Sequence, residues 1–111
     1  MTSYEGVSAE MATCIQNCRD CYATCVLCIA HHPGDPMMAA CVKSCLDCVE
    51  TARACIHLML TGSALQPQGC ALQAAAAERC YNECKRHDNP FCRQCAEACE
   101  RSLASCRAMA A

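Results

Sequence analysis

The chain has 111 residues, 16 of them cysteine, and a formal charge of −2 from 9 Lys and Arg against 11 Asp and Glu. That length supports one domain, residues 1–111, with a single core of four helices of about 20 residues each. The near-neutral balance offers no basic field for nucleic acid or an anionic membrane surface. No apolar run reaches the roughly 18 residues of a membrane span, and the first 30 residues carry neither a basic n-region nor a twin arginine. Cytoplasmic residence is the expectation, although an export signal already removed would leave no trace.

The first predicted element covers about 8–32 and contains CIQNCRDCYATCVLC, residues 14–28. Its Cys14, Cys18, Cys21, Cys25 and Cys28 step by four, three, four and three, which keeps all five on one face of a helix. Pro33-Gly34-Asp35-Pro36 then reads as a stop followed by an Asp N-cap with Pro at the first helical position. The second helix, about 36–61, carries Cys41, Cys45, Cys48 and Cys55, and Thr61-Gly62-Ser63 closes it. Pro67 opens a third, about 67–88, with Cys70, Cys80 and Cys84; Asn89-Pro90 repeats the start signal for a fourth, about 90–110, with Cys92, Cys95, Cys99 and Cys106. These segments are rich in Ala, Leu, Met, Glu, Arg and Gln, and one Phe, three Tyr and no Trp leave little for a β core. Charges four apart, such as Arg93, Glu97 and Arg101, read as a solvated helix face.

Cysteine therefore occupies the positions where a bundle normally places leucine. Facing residues on antiparallel neighbours have position numbers with a constant sum, and the cysteines obey this rule. Between the first two helices, the pairs 28/41, 21/48 and 14/55 share the sum 69, with 25/45 at 70; between the second and third, 41/84, 45/80 and 55/70 share 125; between the third and fourth, 84/92 and 70/106 share 176, with 80/95 at 175. The expected fold is all-α, an antiparallel up-down-up-down four-helix bundle with a cysteine-lined core. Its layers are Cys28/Cys41/Cys84/Cys92, Cys25/Cys45/Cys80/Cys95 and Cys14/Cys55/Cys70/Cys106, with Cys21, Cys48 and Cys99 meeting Ala77, and Cys18 opposite Ala52 and Ala74.

Three uses of such a core compete. Cysteine can act as a small buried hydrophobe, but putting it in place of nearly every large core residue forfeits much apolar burial. Disulfides within a helix are strained, because Cβ atoms three or four residues apart lie about 5–6 Å from each other and a bridge wants about 3.5–4.5 Å. Cross-helix bridges stay open, and the steps 18 to 28, 45 to 55 and 70 to 80 are similar to twin-cysteine helical hairpins. For metals, charge decides. Zn²⁺ in a four-thiolate site leaves about −2, so four sites would place about −8 in a dry core, and no Lys or Arg falls on the cysteine stripe. Iron–sulfur clusters share the surplus charge, and the run C-x₂-C-x₂-C-x₃-C-P is absent. Cu(I), a soft monovalent cation, leaves a thiolate core neutral at about one ion per cysteine, about 16 per chain.

The repeated C-x₃-C pairs (14/18, 21/25, 41/45, 80/84, 95/99), the first cysteine helix and the closing CKRHDNPFCRQCAEACERSLASCR, from Cys84 to Arg107, resemble the bacterial copper storage proteins over nearly the whole chain, Met11 to Arg107. The third helix departs from a denser cysteine pattern with AAAAE at 74–78. The resemblance implies Cu(I) sites within helices, a tetramer in which each bundle stores copper separately, and both a cytoplasmic and an exported branch.

Extending the layers places His31, Met38, His87 and Asn89 at one end and Met11, Met59 and Met109, near Leu58, at the other. His31, Met38 and His87 are candidate ligands where copper enters, or imidazoles placed favourably at helix C-termini. Register favours His31 over His32, and His57 points off the core. The methionine end reads as a flexible apolar plug. A second stripe, Ile15, Tyr22, Val26 and Ile29 with Val42, Val49 and Ile56, fits either a homo-oligomer packed through the first two helices or the edge of an ordinary core. No Ser/His/Asp or carboxylate pair converges on the core, which argues against hydrolytic catalysis. The sequence thus predicts a non-enzymatic protein for Cu(I) storage or detoxification, with no copper chaperone or efflux partner named by it; the alternative is a thiol–disulfide redox or disulfide-stapled helical interaction domain.

Overall fold

A computed structural model describes residues 4–111. Four helices run in order, α1 (Ala9–His31), α2 (Ala39–Leu60), α3 (Gln66–Cys84) and α4 (Pro90–Ala110). Ser8 caps α1 by accepting from the Met11 N–H at 3.1 Å, which satisfies one of the donors a helix start leaves open.

The Asp35-Pro36 start does not open α2 directly. Asp35 Oδ1 accepts from the Met37 N–H at 3.0 Å and caps a short 3₁₀ turn, Pro36–Met38. Met38 lies at φ −103°, ψ 2°, off the α basin, so the α-helical ladder begins only at Ala39. At its other end α2 closes in a Schellman motif. Gly62 takes φ 66°, its N–H reaches Met59 C=O at 3.3 Å, and the Ser63 N–H reaches Leu58 C=O at 3.0 Å.

Helix α3 ends at Cys84 rather than 88. Asn89 precedes Pro90, a position that disfavours helical backbone, and it sits extended at φ −148°, ψ 158°. Lys85 to Asp88 are consumed in the turn, with the His87 N–H donating to Cys84 C=O at 3.1 Å. Asn89 Oδ1 then accepts from the Cys92 N–H at 2.9 Å and starts α4.

Each helix packs on two neighbours, α1 on α2 and α4, α3 on α2 and α4, which closes a square antiparallel bundle of 43 × 25 × 18 Å. Alanine at Ala52, Ala77 and Ala98, wholly buried, lets the helices approach. Exposed ion pairs tie neighbouring helices from outside, Arg79 with Asp47 at 2.9 Å and Arg107 with Glu78; Arg93 pairs with Asp88. Among the described residues, no helix is long and apolar enough to cross a membrane.

Candidate metal centre

All 16 cysteines are unbridged, and each has 0% of its surface exposed. The helices bring them together in the register that the position sums predict. Cys28 lies 3.8 Å from both Cys41 and Cys92, and Cys41 lies 3.3 Å from Cys84. In the next layer Cys25 is 3.8 Å from Cys80 and 3.6 Å from Cys95, while Cys45 is 3.6 Å from Cys80. Cys21 stands 3.3 Å from Cys48 and 3.4 Å from Cys99. Toward the methionine end, Cys14 and Cys18 approach Cys106 at 3.6 and 3.5 Å, and Cys55 approaches Cys70 at 3.4 Å.

Sulfurs at these separations form overlapping ligand sets. Cys21/Cys25/Cys48/Cys99, Cys25/Cys45/Cys80/Cys95 and Cys28/Cys41/Cys45/Cys84 each hold their sulfurs within 4.8 Å of one another, as does the triad Cys14/Cys18/Cys106. Cys25 and Cys45 each belong to two sets, so neighbouring ions there would share bridging thiolates. Among the described residues, no lysine, arginine or carboxylate is buried with them. A soft monovalent cation balances such a core, whereas a divalent one in each set leaves uncompensated charge.

Proton affinity in this core is collective. Contacts with Cys25, Cys48 and Cys99 pull the Cys21 thiol down, and the contact with Cys21 leads those that push Cys99 up. A sulfur that has lost its proton accepts hydrogen bonds from neighbours, which then hold theirs more tightly. At the edge of the stack, burial pushes the Cys92 thiol up to about 12 against the opposing hydrogen bond from Asn89. Metal entering this core displaces protons as it binds.

At the polar end the histidine that lies nearest the thiols is not the one that register favours. His31 is exposed and stacks its ring on Phe91, centroids 3.9 Å apart and planes 13° from parallel. His32 instead brings a ring nitrogen within 4.8 Å of the Cys28 and Cys92 sulfurs, a set that could hold an ion, and its Nε2 is buried with no hydrogen-bond partner. The reason is the end of α1: His32 is its C-cap at φ −130°, ψ 36°, and this non-helical backbone turns residue 32 off the helical rotation that register assumes. Met38 is 5% exposed and packs against the cysteines. His87 Nε2 is likewise buried without a partner. Asn89 Nδ2 donates to Cys92 Sγ at 3.2 Å.

A family model described as copper storage protein (Csp) matches residues 1–111. The chain belongs to the copper storage protein family. A curated relative, the uncharacterized cysteine-rich protein YhjQ of Bacillus subtilis (strain 168), is 32% identical over 101 residues, 88% of this chain and 94% of that protein. Among solved structures, the Cu(I)-bound copper storage protein BsCsp3 is similar with a TM-score of 0.87 and 30% identity, over 92% of this chain and 99% of its own. Apo copper storage protein 3 from Bacillus subtilis follows at 0.85 and 32%, over 90% and 98%. The family is one of copper storage and not of enzymes.

Within this copper storage family member, several polar side chains reach the thiols without having been singled out from the sequence. Gln73 is fully buried in mid-core, its Nε2 donating to Ser102 Oγ at 3.1 Å and lying 3.6 Å from both Cys21 and Cys48 Sγ. Gln66 Nε2 donates to Cys70 Sγ at 3.1 Å and to the Met109 carbonyl. The signal for Gln73 and Ser102 was present: positions 70, 73, 77, 80, 84 and 92, 95, 99, 102, 106 step by three and four, so both sit on the cysteine stripe. At that end Met59 is 1% exposed, and Met11 and Met109 pack beside it around the lower cysteines.

Proposed function

We propose that the chain stores Cu(I) inside its bundle, one ion for about each thiolate, and that it has no catalytic role. The observation that carries this reading is the run of buried thiol sets sharing Cys25 and Cys45, with no buried counter-charge among the described residues. Ligands are all 16 cysteines, with Met38, His87 and His32 taking copper at the mouth; His31, stacked on Phe91, supports the mouth by packing. Neutral imidazole and thioether hold Cu(I) more loosely than paired thiolates, which suits hand-over inward to Cys28 and Cys92. Thiolate storage needs a reducing compartment, which favours the cytoplasm. The exposed Tyr22, Val26, Leu27 and Leu46 on α1 and α2 support association of copies through that face, as a tetramer if this chain follows the resemblance.

Anaerobic titration of the reduced protein with Cu(I) tests the reading. Saturation should fall at about 16 ions, the neutrality limit of a thiolate core. Saturation at four ions or fewer would revive a zinc-like site. Thiol counting before reduction separates the alternative: eight disulfides and no free thiol would mark a stapled redox or interaction domain.

A further inference from the structure

The wholly buried Gln73 is not explained by storage alone. We propose that Gln73 and Ser102 divide the store into two compartments that load and empty independently, 11 thiols on the His/Met side and five (Cys14, Cys18, Cys55, Cys70, Cys106) on the methionine side. The proposal rests on the Cu(I)-storage reading above.

Three observations carry it. All hydrogen-bonding sulfur pairs fall within one group or the other; the lowest sulfurs of the upper group, Cys21 and Cys48, meet Gln73 Nε2, and the highest of the lower group, Cys18, meets Ser102 Oγ at 3.5 Å. The divider is fully hydrogen-bonded and therefore fixed. Thr51 Oγ1 donates to Gln73 Oε1, Gln73 Nε2 donates to Ser102 Oγ, and Ser102 Oγ lies 3.8 Å from Cys106 Sγ. Finally, the ligand sets of the upper group share sulfurs from one to the next, whereas Cys14/Cys18/Cys106 shares none with them.

Movement of Cu(I) through a thiolate core proceeds by exchange between sulfurs that can bridge the same ion. The lone pair of a carboxamide NH2 is delocalised into its carbonyl, and carbonyl and alcohol oxygens are hard donors, so neither side chain continues the path for a soft cation. At the methionine end only the half-buried Gln66, which donates to Cys70, need move for the five-thiol compartment to exchange copper with solvent without passing the divider.

The test is anaerobic removal of Cu(I) from the fully loaded, full-length chain by an excess of a high-affinity Cu(I) chelator. Two phases are expected, with amplitudes near 11 and five ions and clearly different rates. Replacing Cys55 and Cys70 by Ser should shrink the five-ion phase alone, leaving the other in amplitude and rate. Gln73→Cys puts a sulfur on the stripe between the two groups and should merge the phases into one. A single phase in the parent chain, both phases changing in the Cys55/Cys70 variant, or both persisting unaltered in Gln73→Cys would overturn the proposal. If Gln73→Cys does not fold by circular dichroism, the serine variant decides. Loading of four ions or fewer in the parent would instead overturn the storage reading, and that result is read before any chelator is added.

Discussion

At the scale of single residues, chemistry depends on which atoms end within reach of a thiol. His31 and His32 are neighbours in sequence, yet one stacks on Phe91 and the other joins Cys28 and Cys92. Their substitutions should therefore separate. His32→Ala should slow Cu(I) loading from a chelator complex several-fold while capacity stays within one or two of the parent value, since the 16 cysteines remain. His31→Ala should leave loading nearly unchanged. Stopped-flow loading of the two variants checks this, and the reverse order of effects would return the ligand role to His31. Sequence periodicity could not resolve the pair, because it assumes helical rotation through residue 32, and the C-cap departs from it.

Among the elements, the turn before α4 joins fold and site through Asn89. Its Oδ1 caps the helix at the Cys92 N–H, and its Nδ2 donates to the Cys92 sulfur. Asn89→Ala should lower the stability of the reduced apo-protein by about 1 kcal/mol, the usual value of an N-cap, measured as a lower denaturant midpoint at unchanged slope. Asn89→Asp should keep most of that stability, because the carboxylate still accepts from the Cys92 N–H. Equal losses for both would show that the donation to sulfur, and not the cap, carries the stabilisation. The stop and start signals were legible at Gly62, where a Schellman motif requires the left-handed backbone found at φ 66°. At Asp35-Pro36 the same signals begin a 3₁₀ turn, since the dihedral angles of Met38 interrupt the ladder that residue types alone suggest.

For the molecule as a whole, the order of folding and metal binding follows from how the bundle is held. Side-chain caps at Ser8 and Asn89, the closed ring of four packed helices and buried alanines at Ala52, Ala77 and Ala98 hold the bundle through contacts in which no cysteine sulfur takes part. The reduced apo-protein should already be highly helical by circular dichroism, and copper should raise its thermal midpoint by mass action rather than create the helices. A largely unfolded apo-form that gains helix on Cu(I) addition would show that a cysteine core buries too little apolar surface to fold alone.

The sequence by itself determined the four helices, their antiparallel register and the thiol layers, because side chains three and four apart must share a helix face and constant position sums leave one way to pair the faces. It also carried the family resemblance in its C-x₃-C pairs. Tertiary structure decided what lies between the layers and at their ends. Gln73, Ser102 and Thr51 find one another from three different helices, and His32 at the end of α1 comes within reach of Cys92 on the neighbouring α4. Such contacts depend on backbone rotation at a cap and on which polar atoms meet across helices, and neither quantity repeats along the chain for periodicity to detect.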